Sequence, residues 1–151
     1  MSSASDLTRY LHEHIPLAAA MELKVELADG VSLVLAAPLA PNRNPHGTVF
    51  GGSLATIAIA CGWTLLFDAL RREQLEPALV VQRFEADFKA PAQGRFHAQA
   101  ALPEDWPAFL TSLRTRQRAR LRVPITVSCD DRPVFAATAS YAARLQPTAH
   151  T

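Results

Sequence analysis

The residues best suited to chemistry lie in a polar loop that leads, through two glycines, into a long segment without charge. Asn44 and His46 stand in the loop, Gly51 and Gly52 follow it, and the next charged residue is Asp68. The first N–H groups of a helix have no partner within the helix, and they favour an anion or a carbonyl oxygen. A histidine can act as a general base or a hydrogen-bond donor near neutral pH. The pattern therefore predicts a place that holds a polarised carbonyl beside groups able to orient water.

Hydroxyl- and thiol-bearing residues follow in the apolar segment, among them Ser53, Thr56 and Cys61. Ser53 is expected to cap the helix, and Thr56, one turn on, to bond a backbone carbonyl. No Gly-x-Ser-x-Gly elbow surrounds either residue, so a serine nucleophile is not expected. Cys61 has no histidine or positive charge near it in the sequence, which predicts a buried, inert thiol.

Each loop residue also has a purely structural interpretation. Asn44-Pro45 is a common turn pair, His46 could be an exposed loop residue that bonds a carbonyl, and Gly51-Gly52 could allow close packing. The sequence alone leaves these alternatives open.

The elements around the loop predict an α+β fold in one domain spanning 1–151. Period-two alternation and turn residues mark the strands, and a run that is apolar on all sides marks a buried helix. An N-terminal helical segment within 1–16 is expected, with Ser5 or Asp6 as its cap and Pro16 at its end. The other expected elements are strands at 23–28 and 31–37, a loop at 38–48, a central helix at 53–72, strands at 79–89 and 96–102, an irregular or helical connection at 104–113, strands at 118–129 and 133–145, and a loose tail at 146–151. This order predicts helices on one side of an antiparallel sheet.

Composition restricts the classes of function. The chain has 151 residues, of which 49% are hydrophobic and 19% are charged, with a net charge of +1. These values predict a globular core and give no bulk attraction to nucleic acid or anionic membrane. The two cysteines show neither zinc spacing nor a disulfide framework, and the first residues do not resemble a secretory signal, so a cytoplasmic location is expected.

Alternating arginines form one further pattern. Residues 114, 116, 118, 120 and 122 are all arginine. From about Arg118 the alternation places them on one face of a strand. A solvated outer face explains this, although arginines could also hold coenzyme A phosphates or an acidic carrier protein.

The run from Asn44 to Trp63, NPHGTVFGGSLATIAIACGW, resembles the loop and central helix of hotdog-fold thioesterases. Many of these carry Asn-x-x-Gly-Thr-x-His-Gly-Gly before a helix with an acidic residue. The most similar group is the YiiD-type C-terminal thioesterase domain, with a Phe-Gly-Gly-Ser-Leu core and a later Gly-Trp. These motifs match residues 50–54 and 62–63, and the resemblance extends over about 17–145.

This resemblance implies a curved antiparallel sheet wrapped around one long central helix, with two protomers pairing to extend the sheet. It implies hydrolysis of an acyl-CoA or acyl carrier protein thioester by a homodimer or a dimer of dimers, without a metal or redox cofactor. The thioester carbonyl is expected at Gly51 and Gly52, and the attacking water beside Asn44 and His46. The residues expected to contact the substrate are Phe50, Ser53, Leu54, Thr56, Phe84 and Phe88.

The chain departs from the family pattern where acid–base chemistry would be expected. Phe50 replaces the histidine of His-Gly-Gly, and Ile59 occupies the position of the helix carboxylate. Asp68 lies more than two turns further along, Ala90 replaces a polar position before a strand, and Asp87 on a strand is expected to be a surface or paired charge. A non-catalytic thioester-binding module therefore remains an alternative. A hydratase is a weaker one, because Asn42 takes the place of its aspartate and His46 is one residue too early.

Overall fold

A single 22-residue helix, α3 (Gly51–Arg72), packs against a six-stranded antiparallel sheet in the computed structural model, which describes residues 3–146. The strand order is β1-β2-β4-β5-β6-β3, so β1 and β3 form the two edges. The strands are β1 (Lys24–Ala28), β2 (Ser32–Ala37), β3 (Ala78–Phe88), β4 (Phe96–Ala101), β5 (Arg118–Cys129) and β6 (Arg132–Arg144). The predicted α+β class and the curved sheet of the hotdog fold are confirmed.

The core forms where the inner faces of the strands meet α3. The alternation of β5 buries Leu121, Val123, Ile125 and Val127, and α3 contributes Ile57 among other apolar side chains. By length and composition α3 could cross a membrane, but 61% of its most apolar window is buried inside the fold. The helix is therefore the core helix that the sequence predicted.

The N-terminal segment departs from the prediction in two details. Helix α1 (Ala4–His14) is capped by Ser3, whose hydroxyl accepts from the Asp6 N–H while the Asp6 carboxylate accepts from the Ser3 N–H. The prediction of Ser5 or Asp6 as the cap is therefore wrong, because the capping box begins at Ser3, two residues before Ser5, and has Asp6 as its second member. Pro16 follows the end of α1, but it also begins a second short helix, α2 (Pro16–Ala20), where a proline at the first position is well tolerated.

The connection predicted at 104–113 is a helix, α4 (Trp106–Arg116), which packs against β5. Arg114 and Arg116 therefore belong to α4, and only Arg118, Arg120 and Arg122 lie on the strand, where all three are exposed. The predicted tail at 146–151 falls outside the described residues from 147 onwards.

Candidate active site

The loop before α3 is anchored by a buried amide. Asn42 is 2% exposed, and its Nδ2 donates to the backbone carbonyls of Met21 (3.0 Å) and Pro38 (2.9 Å). The backbone carbonyl of Asn42 accepts from the Phe50 N–H at 2.7 Å, and the Val49 N–H donates to the backbone carbonyl of Ala92 at 2.9 Å. These bonds fix the backbone immediately before the helix. Sequence reasoning compared Asn42 only with the hydratase aspartate and missed this anchoring role.

Asn44 organises the tip of the same loop. Its Oδ1 accepts from the N–H groups of His46 (2.9 Å) and Thr48 (3.1 Å), and its Nδ2 donates to Thr48 Oγ1 at 2.8 Å. The turn also needs Gly47, whose φ of +82° is strained for other residues. The turn interpretation of Asn44 is thus correct as far as it goes. The other amide hydrogen of Nδ2 has no acceptor among the described residues, so the side chain can still donate one bond to a ligand.

His46 lies at the exposed tip of the loop. Within residues 3–146 its imidazole makes no hydrogen bond, and only its backbone N–H is engaged. Of the structural alternative for His46, the exposed position is observed, but a bond from the ring to a backbone carbonyl is not found among the described residues. The ring is available to a ligand or a water molecule.

Helix α3 begins two residues earlier than predicted, and Ser53 is not its cap. Phe50 occupies the N-cap position, with extended φ and ψ of −60° and 135°, and no side chain caps the helix. The N–H of Ser53 already bonds the Phe50 carbonyl at 2.9 Å. Ser53 thus lies inside the first turn, because the buried anchor at Asn42 holds Phe50, not Ser53, at the start of the helix.

The N–H groups of Gly51 and Gly52 are consequently the unpaired donors of this helix. No hydrogen bond from either N–H reaches an acceptor among the described residues, whereas the neighbouring N–H groups of Phe50, Ser53 and Leu54 are all paired. Two adjacent N–H groups at the positive end of a long helix are suited to a carbonyl oxygen that gains negative charge.

Two phenyl rings flank these glycines. A Cβ on Gly52 would collide with the ring of Phe50, and a Cβ on Gly51 would lie 3.2 Å from the ring of Phe88. Both rings are largely exposed, at 58% for Phe50 and 63% for Phe88. The sequence-predicted residues Phe50, Gly51, Gly52 and Phe88 therefore come together at one place.

The remaining predicted contacts are more dispersed. Phe84 and Phe88 both pack on Phe135; their ring centroids lie 6.2 Å and 4.9 Å, respectively, from that of Phe135. Leu54 is buried in the core, and Thr56 Oγ1 donates to the Gly52 carbonyl at 2.8 Å, as predicted.

No carboxylate on α3 lies near the free N–H groups. Ile59 is indeed at mid-helix, where its carbonyl accepts from the Tyr141 hydroxyl at 2.7 Å. Asp68 is 2% exposed and bonds Arg72 Nε at 3.3 Å, about 25 Å along the helix from Gly51. Asp87 is exposed at the end of β3. Asp68 is thus a structural ion-pair partner.

Cys61 is fully buried, and its thiol lies 3.7 Å from the Leu33 carbonyl. Burial raises the pKa of the Cys61 thiol to about 12, because the thiolate would lose its hydration. A thiol in this state is not a nucleophile, as the sequence predicted.

Comparison with known proteins supplies the family. The model of the family described as "Putative thioesterase (yiiD_Cterm)" matches residues 4–144. The chain belongs to this family. The match includes the anchored loop, the whole of α3 and all six strands, so the features above lie within the region that defines the family.

Solved structures share this fold. A protein of unknown function from Chlorobaculum tepidum TLS is 27% identical, with a TM-score of 0.89, over 95% of this chain and 94% of that one. A structure described as the putative thioesterase from Shewanella oneidensis is 23% identical, with a TM-score of 0.87, over 93% and 96% of the two chains. A Pseudomonas aeruginosa protein described as a probable thioesterase is 23% identical, with a TM-score of 0.82, over 97% and 99%. At 23% identity, the last two structures show that the fold is shared and nothing more.

Proposed function

We propose that this thioesterase-family protein hydrolyses an acyl thioester whose carbonyl oxygen accepts hydrogen bonds from the N–H groups of Gly51 and Gly52. The observation that carries the proposal is the pair of unbonded N–H groups at the start of α3, beside paired neighbours. As the carbonyl becomes tetrahedral, its oxygen gains charge and these donors bind it more tightly. Removal of one such donor in other hydrolases lowers kcat by about 10² to 10³.

Water is the nucleophile in this scheme. The spare amide hydrogen of Asn44 and the free imidazole of His46 belong to the loop that leads into the site. His46 takes the proton of the attacking water, and the departing thiolate carries the coenzyme A or carrier-protein arm. No carboxylate is required from α3, where Ile59 replaces it.

The exposed rings of Phe50 and Phe88 contact the acyl chain beside the carbonyl. Both offer apolar surface that is at present in solvent, and covering it with an acyl chain is favourable. Ser53, Leu54, Thr56 and Phe84 are the further substrate contacts that we propose. The substrate is an acyl-CoA or an acyl carrier protein thioester, and we place the reaction in the cytoplasm.

The working form is a homodimer, or a dimer of such dimers, formed along β3. This strand of 11 residues is an edge of the sheet, so one side of its backbone has no strand partner within residues 3–146. Of the seven exposed large apolar residues within 3–146, four lie on β3 or against its end: Phe50, Val80, Val81 and Phe88. A long apolar edge favours pairing with another chain. Antiparallel pairing of two β3 strands about a two-fold axis satisfies the edge and brings Val80 and Val81 toward the partner, while Phe50 and Phe88 remain for the acyl chain.

A second candidate function is thioester binding without turnover. The observation that favours it is the lack of a carboxylate on α3 before Asp68, because general base catalysis contributes about 10² to 10⁴ in rate. Under this alternative, the same N–H groups hold the carbonyl but no group activates water.

One experiment separates the two candidates. Thiol release is measured with short, medium-chain and aromatic acyl-CoAs, and binding of the same compounds is measured by calorimetry. Hydrolysis predicts thiol release that falls at least 10-fold in His46→Ala, whose exposed ring makes no contact that folding requires. Saturable binding with no thiol release from any compound contradicts hydrolysis and establishes the binding module. If no compound binds and none releases thiol, both candidates are rejected.

A further inference from the structure

A cavity of about 510 Å³ lies between α1, the second half of α3 and the beginning of β3. The residues that define this aromatic cleft are Tyr10, Trp63, Phe67, Arg71, Leu75 and Leu79. Trp63 and Phe67 lie about 18 and 24 Å along α3 from Gly51. A short ligand therefore cannot occupy both places in one chain. The volume is within the range of small-molecule sites.

The floor of the cleft is a continuous stack of aromatic rings. The centroids of Tyr10 and Phe67 are 4.6 Å apart, and those of Phe67 and Trp63 are 4.9 Å apart. The indole N–H of Trp63 donates to the Leu79 carbonyl at 2.8 Å, which fixes the ring. The cleft thus presents a rigid apolar surface, which loses little entropy when a ligand binds.

One cation lines this surface. The guanidinium carbon of Arg71 lies 5.0 Å from the centre of the Phe67 ring and 5.8 Å from that of Tyr10. Cation–π contacts at these distances hold the side chain in place. Its ion pair with Glu76 is long, at 3.6 Å, and the Glu76 side chain is 75% exposed, so this pair is weak. Across residues 3–146 no acceptor lies within hydrogen-bonding distance of the Arg71 donors.

We propose that the aromatic cleft binds an apolar carboxylate, with its carboxylate paired to Arg71 and its hydrocarbon or aromatic body against Trp63 and Phe67. A planar guanidinium with free donors matches a carboxylate in a bidentate arrangement. A single arginine beside apolar walls suits a monoanion better than a phosphate dianion. The ligand displaces Glu76 into solvent, where that side chain already mostly lies.

This site goes beyond the proposed hydrolysis and does not depend on it. Carboxylic acids are also the products of thioester hydrolysis, so in an active enzyme the cleft would respond to accumulated product. Most of the lining belongs to α1, α3 and the connection after α3, and only Ala78 and Leu79 come from β3. In the proposed dimer, antiparallel pairing turns the β3 wall of the cleft toward the partner, while the floor on α1 and α3 belongs to one chain.

The test uses octanoate and its neutral analogue octanamide, with no thioester present. The chain has two tryptophans, so Trp106→Phe leaves Trp63 as the reporter inside the cleft. We expect a saturable change in Trp63 fluorescence with octanoate, and binding at least 10-fold weaker for octanamide. Calorimetry on the wild-type protein repeats the comparison without a substitution.

Matched variants identify the cation. Arg71→Gln should abolish the preference for octanoate over octanamide, whereas Arg114→Gln, which removes another exposed, ion-paired arginine, should preserve it. Phe67→Ala should weaken both ligands. Equal binding of the two ligands, an unchanged preference in Arg71→Gln, or no octanoate binding at millimolar concentration each overturns the proposal. A protein without thioesterase activity can still pass this test, and an active one can fail it.

Discussion

The phenyl ring of Phe88, at the end of β3, lies against the α-carbon of Gly51, at the first residue of α3. A Cβ added to Gly51 would come within 3.2 Å of ring atom Cε1. The ring is 63% exposed and can move by a few tenths of an ångström, so an alanine at this position is tolerable. The contact joins an edge strand to the helix end that carries two free N–H groups. The site, the acyl contact and the proposed dimer edge therefore meet at one place.

Two substitutions of Asn44 distinguish its role in loop stability from its role in ligand binding. Asn44→Ala removes the acceptor of two backbone N–H groups and should lower the free energy of unfolding by about 1–2 kcal/mol. Asn44→Asp retains that acceptor but cannot donate, so it should stay folded while kcat/KM for an acyl-CoA falls at least 10-fold. Denaturant unfolding and thiol-release kinetics measure the two effects. Full activity in Asn44→Asp would mean that Asn44 only shapes the loop.

Asp68 should matter for folding and not for chemistry. Asp68→Asn weakens a buried pair with Arg72, and we expect a loss of about 1–3 kcal/mol in stability. Because the side chain lies about 25 Å along α3 from Gly51, kcat per folded molecule should be unchanged. A fall of 10-fold or more in kcat, with stability intact, would show that this carboxylate takes part in the reaction.

A charged substitution on β3 tests the proposed dimer contact. Val81→Glu places two like charges close to the proposed two-fold axis and should convert the dimer to a monomer, measured by light scattering after gel filtration. Val31→Glu is the matched control, since Val31 is 60% exposed and lies at the β1–β2 turn. If Val81→Glu leaves the mass unchanged while the protein stays folded, β3 is not the contact.

Cys61 provides a test of core rigidity. Its raised pKa, about 12, means that Cys61 in the folded protein is almost entirely in the thiol form at pH 8. Iodoacetamide should therefore leave Cys61 unmodified in the folded state and label it fully in denaturant, as followed by mass spectrometry. Rapid labelling of Cys61 under native conditions would contradict the burial of this part of α3.

The sequence predicted the elements whose signals are local and strong. The apolar run of α3 and the alternation of β5 and β6 identify the core helix and the strands, and the family resemblance supplies their arrangement. The start of α3 was placed wrongly, because Ser53 is a good capping residue in isolation. The actual start depends on the bond from the Phe50 N–H to the Asn42 backbone carbonyl, and on the buried Asn42 side-chain amide that anchors the loop. These are tertiary contacts, which a local sequence pattern does not predict.

The same limit applies to the site. Gly51, Gly52, Phe50 and Phe88 were predicted as its members and do lie together, because the motif places three of them within three residues. The Asn-Pro pair predicted a turn, but it did not predict that Asn44 accepts from two backbone N–H groups and donates to Thr48, because these bonds form only in the folded loop. The aromatic cleft was not predicted either, because Tyr10 of α1 stacks on Phe67 of α3 only in the folded chain.

The most direct test of the central claim deletes one N–H group at the start of α3. Gly51 is the first residue of the helix, where proline is well accommodated, and Phe50 already has the extended φ and ψ that precede a proline. Gly51→Pro removes the N–H, and Gly51→Ala, which keeps it, is the control for added bulk against Phe88. We predict that kcat for acyl-CoA hydrolysis falls about 10²- to 10³-fold in Gly51→Pro and less than 10-fold in Gly51→Ala. Equal kcat values in two folded variants would contradict the account.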